Sequence, residues 1–237
     1  MKNKSRALVT MSAFDSYPVF IDVGASDGRV WMSWLKDAPD ARVYAFEPAP
    51  ENFAKMKEHQ TGHPNVMIFQ EVVSSADVPS GIPFYISNDR NSSSVYPYNP
   101  TSVRLWKYPP GRRLFKTTET IQVPSVRLDT FIKRERLRYI DFLKIDVQGH
   151  ELEVLKSIGA AITKVREIVV EGSLTPFTIY EGQTNRADAI IEFMVQNGFV
   201  LHKQEKMSRN QEVNMWFQNT RFAKIQRNKF YHFAMPN

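Results

Sequence analysis

The 237-residue sequence predicts an α/β domain built on a mostly parallel sheet of seven strands with helices on both faces. Three observations predict it. Short apolar runs alternate with helix-length amphipathic stretches, a glycine-bounded turn separates the first run from the first helix, and acidic residues stand at the ends of several runs. Residues 19–23 make the first strand and 28–36 the helix after it. Residues 42–46 make the second strand and 50–60 the second helix, with Pro50 tolerated in its first turn. The third strand covers 66–69 and the fourth 141–147. A helix over 151–158 puts Leu152, Leu155 and Ile158 on one face and stops at Gly159. The fifth strand covers 167–171, a helix over 186–197 is stopped by Gly198, and 199–202 and 213–217 are the last two strands.

The stretch 74–124 breaks this rhythm. It holds seven of the fourteen prolines, a polar run at 88–94 and one strand candidate, 83–86. About fifty such residues inside a compact domain read as a functional lid. The expected organisation is one domain over 1–237, with a core at 18–218, an inserted lid at 75–124 and a basic, aromatic tail at 219–237.

Composition excludes several classes. The chain has no cysteine, hence no disulfide framework, thiolate metal site or cysteine nucleophile. No run of eighteen apolar residues is present, so no membrane span is expected. The apolar stretch after the charged first residues is too short for a secretion signal, and the expected compartment is the cytoplasm. The net charge of +6 gathers in two places. One is 104–116, with Arg104, Lys107, Arg112, Arg113 and Lys116 among Trp106, Tyr108 and Phe115. The other is the tail from residue 221 to 232. Either cluster is a solvated surface or a contact for an anionic partner.

The turn after the first strand carries the first chemistry. Asp22 lies inside an apolar strand, where a carboxylate is costly unless paired. Gly24 and Gly28 bracket Ala25, Ser26 and Asp27, and glycine there lets backbone approach a ligand closely. The spacing Gly-x-x-x-Gly lacks the middle glycine that a pyrophosphate requires. A nucleoside without phosphates, bearing an amino acid moiety, fits better. Glu47, followed by Pro48, ends the second strand, where ribose hydroxyls are gripped in this topology. Glu71, past the third strand, completes the candidate cofactor set together with Asp146.

These segments resemble a known family. The residues Phe20-Ile-Asp-Val-Gly-Ala-Ser-Asp-Gly28, Tyr44-Ala-Phe-Glu-Pro-Ala-Pro50, Val126-Arg-Leu-Asp-Thr130 and Asp141-Phe-Leu-Lys-Ile-Asp-Val-Gln-Gly-His-Glu151 are similar to those of FkbM-type methyltransferases. The resemblance runs from about residue 19 to 172. It implies a Rossmann-like class I methyltransferase fold, S-adenosylmethionine as methyl donor and O-methylation of sugar or natural-product hydroxyls. Ser26 stands where the family usually has asparagine.

Methyl transfer needs in-line positioning of the acceptor and a way to remove its proton. Asp146 is the first candidate for base or orienting group. Lys144 shares its strand face, and the pair is either catalytic or mutually neutralising. His150 is the histidine nearest these strand ends. Glu151 is read as serving its helix N-terminus. If a metal is used, Asp146 and Glu171 would hold Mg²⁺, but a metal-free site is favoured. Ser93, Ser94, Tyr96, Trp106 and Glu171 are the substrate candidates. The expected acceptor is a small molecule or glycan. Ribose methylation of RNA and a non-catalytic cofactor-binding module are the alternatives, with nucleic acid the weaker partner, and the oligomeric state is not legible.

Overall fold

A computed structural model describes residues 17–222 except Arg112. The basic tail from residue 223 onward and the first sixteen residues lie outside the described residues. Seven strands form the main sheet: β1 (Val19–Val23), β2 (Arg42–Phe46), β3 (Val66–Phe69), β7 (Ile140–Ile145), β8 (Val165–Ser173), β9 (Phe199–Met207) and β10 (Glu212–Asn219). Their order is β3-β2-β1-β7-β8-β10-β9, with β10 antiparallel to both neighbours and the other pairs parallel. Strand order therefore reverses direction between β1 and β7. A crevice opens at the carboxyl ends of strands at such a reversal.

Helices cover the two faces separately. On one face α1 (Arg29–Asp37) and α2 (Pro50–Gln60) bury Trp31, Trp34, Leu35 and Met56 against Phe20, Val43 and Phe142. The spacing 31, 34, 35 is one helical stripe, and Trp34 meets Phe20 and Phe142 edge-on at 5.8 and 5.3 Å. On the other face α3 (Leu128–Arg134), α4 (Glu151–Ser157) and α5 (Ala187–Gln196) bring Phe131, Leu155 and Ile190 onto Ile21, Leu143 and Ile168. β7 is buried at all six positions, its second face carrying Leu143 and Ile145. Burial on both faces is why it reads as a continuous apolar run, broken only by Asp141 and Lys144.

The stretch expected to be a functional lid with one strand candidate is bounded by the strands of a second sheet. β4 (Val72–Val73), β5 (Val78–Ser87) and β6 (Thr117–Val126) pair in the order β4-β6-β5, with β6 antiparallel to β5 and parallel to β4. Its small core is Ala49, Val72, Phe84 and Val123. The irregular part is the connection 88–116. β6 and α3 are elements that the sequence reading lacks. β6 is rich in Thr and half exposed, so it shows no apolar run. α3 is two turns long and buries Leu128, Phe131 and Ile132.

Candidate active site

At the carboxyl ends of β1, β2 and β7 lies a cavity of about 620 Å³. Its floor is the turn after β1. Gly24 adopts φ +80°, and a Cβ there would stand 1.8 Å from the Asp146 carbonyl oxygen, so only glycine lets β1 and β7 close on each other. Gly28 holds φ +88° at the start of α1 with the Trp31 ring in the space a side chain would need.

The amides of this turn are spent. Gly24 N and Ala25 N donate to the Phe46 carbonyl at 3.0 and 2.9 Å, and Ser26 N donates to Glu47 Oε2 at 2.8 Å. A phosphate nest needs such amides free. Here two of them hold the end of β2 and the third fixes the Glu47 carboxylate, whose other oxygen Ala49 N holds at 2.9 Å. Burial lifts the Glu47 carboxyl to about 7 against those hydrogen bonds. Glu71 also lines the cavity; its buried Oε2 has no hydrogen-bond partner among the described residues and lies 4.0 Å from Arg134 Nη2. Carboxylates lining a cavity suit a hydroxyl-bearing cation, and these acceptor groups fit S-adenosylmethionine.

Below the turn Asp22 and Lys144 sit side by side, because β1 and β7 pair them in register. Both are fully buried. Lys144 Nζ donates to the Gly24 carbonyl at 2.9 Å and stands 3.2 Å from Asp22 Oδ1 and 3.6 Å from Asp146 Oδ2. Burial pushes Asp22 up to about 6 despite the pull of Lys144. Burial pulls Lys144 down, but the charges of Asp22, Asp146 and Glu171 outweigh it and hold the ammonium above its ordinary value.

Beyond Asp146 the acids crowd. Asp146, Glu151 and Glu171 each bring an oxygen within 4.8 Å of the others. These three are the residues that could hold a metal, one more carboxylate than the sequence suggests. Gln148, at φ +58°, now bridges two of them, its Nε2 donating to Asp146 Oδ1 at 3.1 Å and Glu171 Oε2 at 3.3 Å. Glu151 accepts from Val147 N and Gly149 N, yet burial raises it to about 8. Burial, with Glu212 and Asp146 nearby, raises Glu171 well above the carboxylate range.

The connection 88–116 roofs the cavity. Ser26 Oγ donates to Asn91 Oδ1 at 2.9 Å, Asn52 Nδ2 donates to the Arg90 carbonyl at 3.1 Å, and Arg90 pairs with Glu51. Tyr98 and Tyr180 hydroxyls both donate to the Ser92 carbonyl, at 2.7 and 3.0 Å.

The structure brings together Gly24, Ala25, Ser26, Asp27, Glu47, Pro48, Glu71, Ser93, Lys144, Asp146 and His150 around one cavity. It does not bring Asp22 or Gly28 there. Asp22 is sealed beneath the turn as the partner of Lys144. Four substrate candidates also stand off the lining. Ser94 is buried and donates to the Gln148 carbonyl at 2.7 Å. Tyr96 lies behind His150, with Oη 2.9 Å from Nδ1. Trp106 packs inward on Ile179 and Tyr180, with no open face for a sugar. Glu171 is held under Gln148. His150 is buried, not a surface residue; Ser74 Oγ occupies its other nitrogen at 3.0 Å, and burial lowers it to about 4. Gln148, Asn91 and Ser74 are contributors that the sequence reading lacks. Gln148 had a signal, in the Gln-Gly step after β7. Asn91 and Ser74 had none, being 65 and 76 residues from their partners.

Known proteins resemble this chain in family and fold. The model of the methyltransferase FkbM domain matches residues 22–201. The chain is 30% identical over 174 residues to the 2-O-methyltransferase NoeI of Sinorhizobium fredii, covering 70% of this chain and 67% of that one. It is 25% identical over 131 residues to the hexuronic acid methyltransferase AglP of Haloferax volcanii, covering 55% of this chain and 47% of that one. The crystal structure of a methyltransferase FkbM from Methylobacillus flagellatus KT superposes with a TM-score of 0.53 at 14% identity, over 85% of this chain and 43% of that one. That likeness speaks for the fold alone.

Proposed function

Because the chain belongs to the FkbM family of S-adenosylmethionine-dependent methyltransferases, we propose that it methylates a hydroxyl of a sugar, glycan or glycosylated metabolite. One observation carries the reading. Glu47, fixed by backbone amides, and Asp146, backed by Lys144, face one cavity from opposite sides of the strand-order reversal. The names of the rhizobial and archaeal relatives, both sugar or O-directed, support the acceptor class.

S-adenosylmethionine, when bound, supplies an electrophilic methyl group on a sulfonium. Glu47 would take the ribose hydroxyls, and Glu71 offers a carboxylate to the cationic end. Asp146 then works on the acceptor. Its Oδ1 is held by Gln148, which leaves Oδ2 to take the hydroxyl proton. Lys144 keeps a positive charge beside that oxygen and ties the turn to β7 through Gly24. His150 has both nitrogens engaged and serves to hold the wall through Ser74 and Tyr96. The acid group needs no metal in this reading, since Gln148 bridges Asp146 and Glu171 and Lys144 lies beside Asp146.

The test is mass spectrometry of candidate glycans and small alcohols incubated with the protein and methyl-labelled cofactor. Transfer to a hydroxyl is expected and should survive a chelator. Asp146→Asn should lower turnover by about 10² to 10⁴ with cofactor affinity changed less than about threefold. Unchanged turnover would remove Asp146 from the chemistry. Cofactor binding without transfer to any acceptor would support the binding-module alternative.

A further inference from the structure

We propose that the 104–116 segment docks the protein on an anionic phospholipid surface beside the mouth of the cavity. This goes beyond the methyl-transfer reading and does not depend on which acceptor is used. The segment contains no acid. Arg104, Lys107, Arg113 and Lys116 are all exposed, and among the described residues none has an ion-pair partner. Leu105 and Leu114 stand between them at 57% and 51% exposure, two of the most exposed large apolar side chains described. Single exposed leucines need no explanation. A pair of them inside an acid-free basic loop is a different pattern, exposed apolar side chains interleaved along the chain with exposed cations.

The segment is held from within. Trp106 is buried against Ile179 and Tyr180, and Phe115 packs on the Tyr108 ring at 5.0 Å. Tyr108 Oη donates to the Val103 carbonyl at 2.9 Å and accepts from Phe115 N at 3.2 Å. Lys107 N donates to Gln211 Oε1 at 2.7 Å. The aromatic rings therefore anchor the loop, and the leucines and cations face outward without needing to be ordered on contact. The loop abuts the cavity, since Asn88 lines it and donates to the Leu114 carbonyl at 3.1 Å.

Charge complementarity selects the occupant. Cations near a bilayer attract anionic headgroups, and apolar side chains enter the headgroup boundary. A free phosphate gives the leucines nothing to do. Single-stranded nucleic acid would need open aromatic faces for stacking, and Trp106, Tyr108 and Phe115 turn theirs inward. No helix among the described residues is long and apolar enough to cross a membrane, and the proposed contact is a peripheral one.

The test is co-sedimentation of the full chain with two kinds of vesicle, phosphatidylcholine alone and phosphatidylcholine mixed with phosphatidylglycerol. Binding to the mixed vesicles only is expected. Leu105→Ser with Leu114→Ser, and separately Lys107→Glu with Lys116→Glu, should each weaken it by about tenfold or more with an unchanged melting temperature. Methylation of a soluble acceptor should be unaffected in both. Equal partition into both vesicle types, no partition at all, or binding untouched by the leucine pair would overturn the proposal. Tighter binding to single-stranded RNA than to the mixed vesicles would also overturn it.

Discussion

The two sides of the cleft hold their carboxylates by different means. On the β2 side Glu47 is gripped by the Ser26 and Ala49 amides, and the turn amides before it are bound to Phe46. On the β7 and β8 side Asp22, Asp146, Glu151 and Glu171 share Lys144, Gln148 and a few backbone amides. The first side is fixed by backbone, so its geometry does not depend on a charged partner. The second is fixed by acids gathered around one ammonium and one amide side chain, so loss of Lys144 leaves buried charge unpaired. The proposed reaction needs a preformed ligand cradle and a proton-handling wall, and those two constructions suit them respectively.

The largest expected effect breaks the backbone-held side. Gly24→Ala places a Cβ on the Asp146 carbonyl and imposes φ +80° on alanine. A loss of about 5 kcal/mol is expected from overpacking and strain together, visible as a collapse of the melting temperature. Next, Lys144→Met strips the buried acids of their cation. About 3–5 kcal/mol should be lost at pH 8, and less at pH 5, where Asp22, at about 6, already carries a proton. An equal penalty at both pH values would refute the charge-held account.

Titration sharpens the comparison further. Burial raises Glu47 and Glu212 to about 7 and Glu151 to about 8 in the folded chain. A carboxyl raised on folding binds its proton more tightly in the folded than in the unfolded state. Its contribution is therefore full below the ordinary carboxylate range and lost as pH rises through 7 to 8. His150 acts oppositely: lowered to about 4, it contributes fully above 6.5 and is lost as pH falls toward 4. Between pH 6.5 and 8 only the carboxyls slope, so melting temperature should fall with pH there. Glu151→Gln should flatten that fall by up to about 1.4 kcal/mol per pH unit. The smallest effect concerns the roof. Ser26→Ala removes the bond to Asn91 and leaves alanine at φ +49°. It should cost about 1 kcal/mol, read as a modest rise in the cofactor dissociation constant by calorimetry.

How much of this was legible in the sequence follows from range and burial. β1, β2, β7 and β8 announce themselves because buried parallel strands are apolar runs. Gly24 and Glu47 are legible because a tight turn and a strand-end acid have few other uses. Asp22 is legible as an anomaly, but its partner is set by register with a strand 122 residues away, so the sequence assigns it to the cofactor and the fold assigns it to Lys144. β6 hides because its stability comes from pairing with β5 more than from an apolar face. Trp106 illustrates the same limit: an aromatic in a basic loop looks like a ligand contact until Tyr180 is seen beneath it.

The roof over the turn has a kinetic consequence. Asn91, Arg90 and the Ser92 carbonyl span the cleft from Ser26 and α2 to Tyr180, so whatever rests on the turn lies beneath one continuous strap. If the acceptor of the proposed reaction binds outside that strap, the nucleoside donor enters first and its demethylated product leaves last. Such compulsory order predicts that the product nucleoside competes with the donor but not with the acceptor, and that a bound acceptor traps labelled donor against exchange.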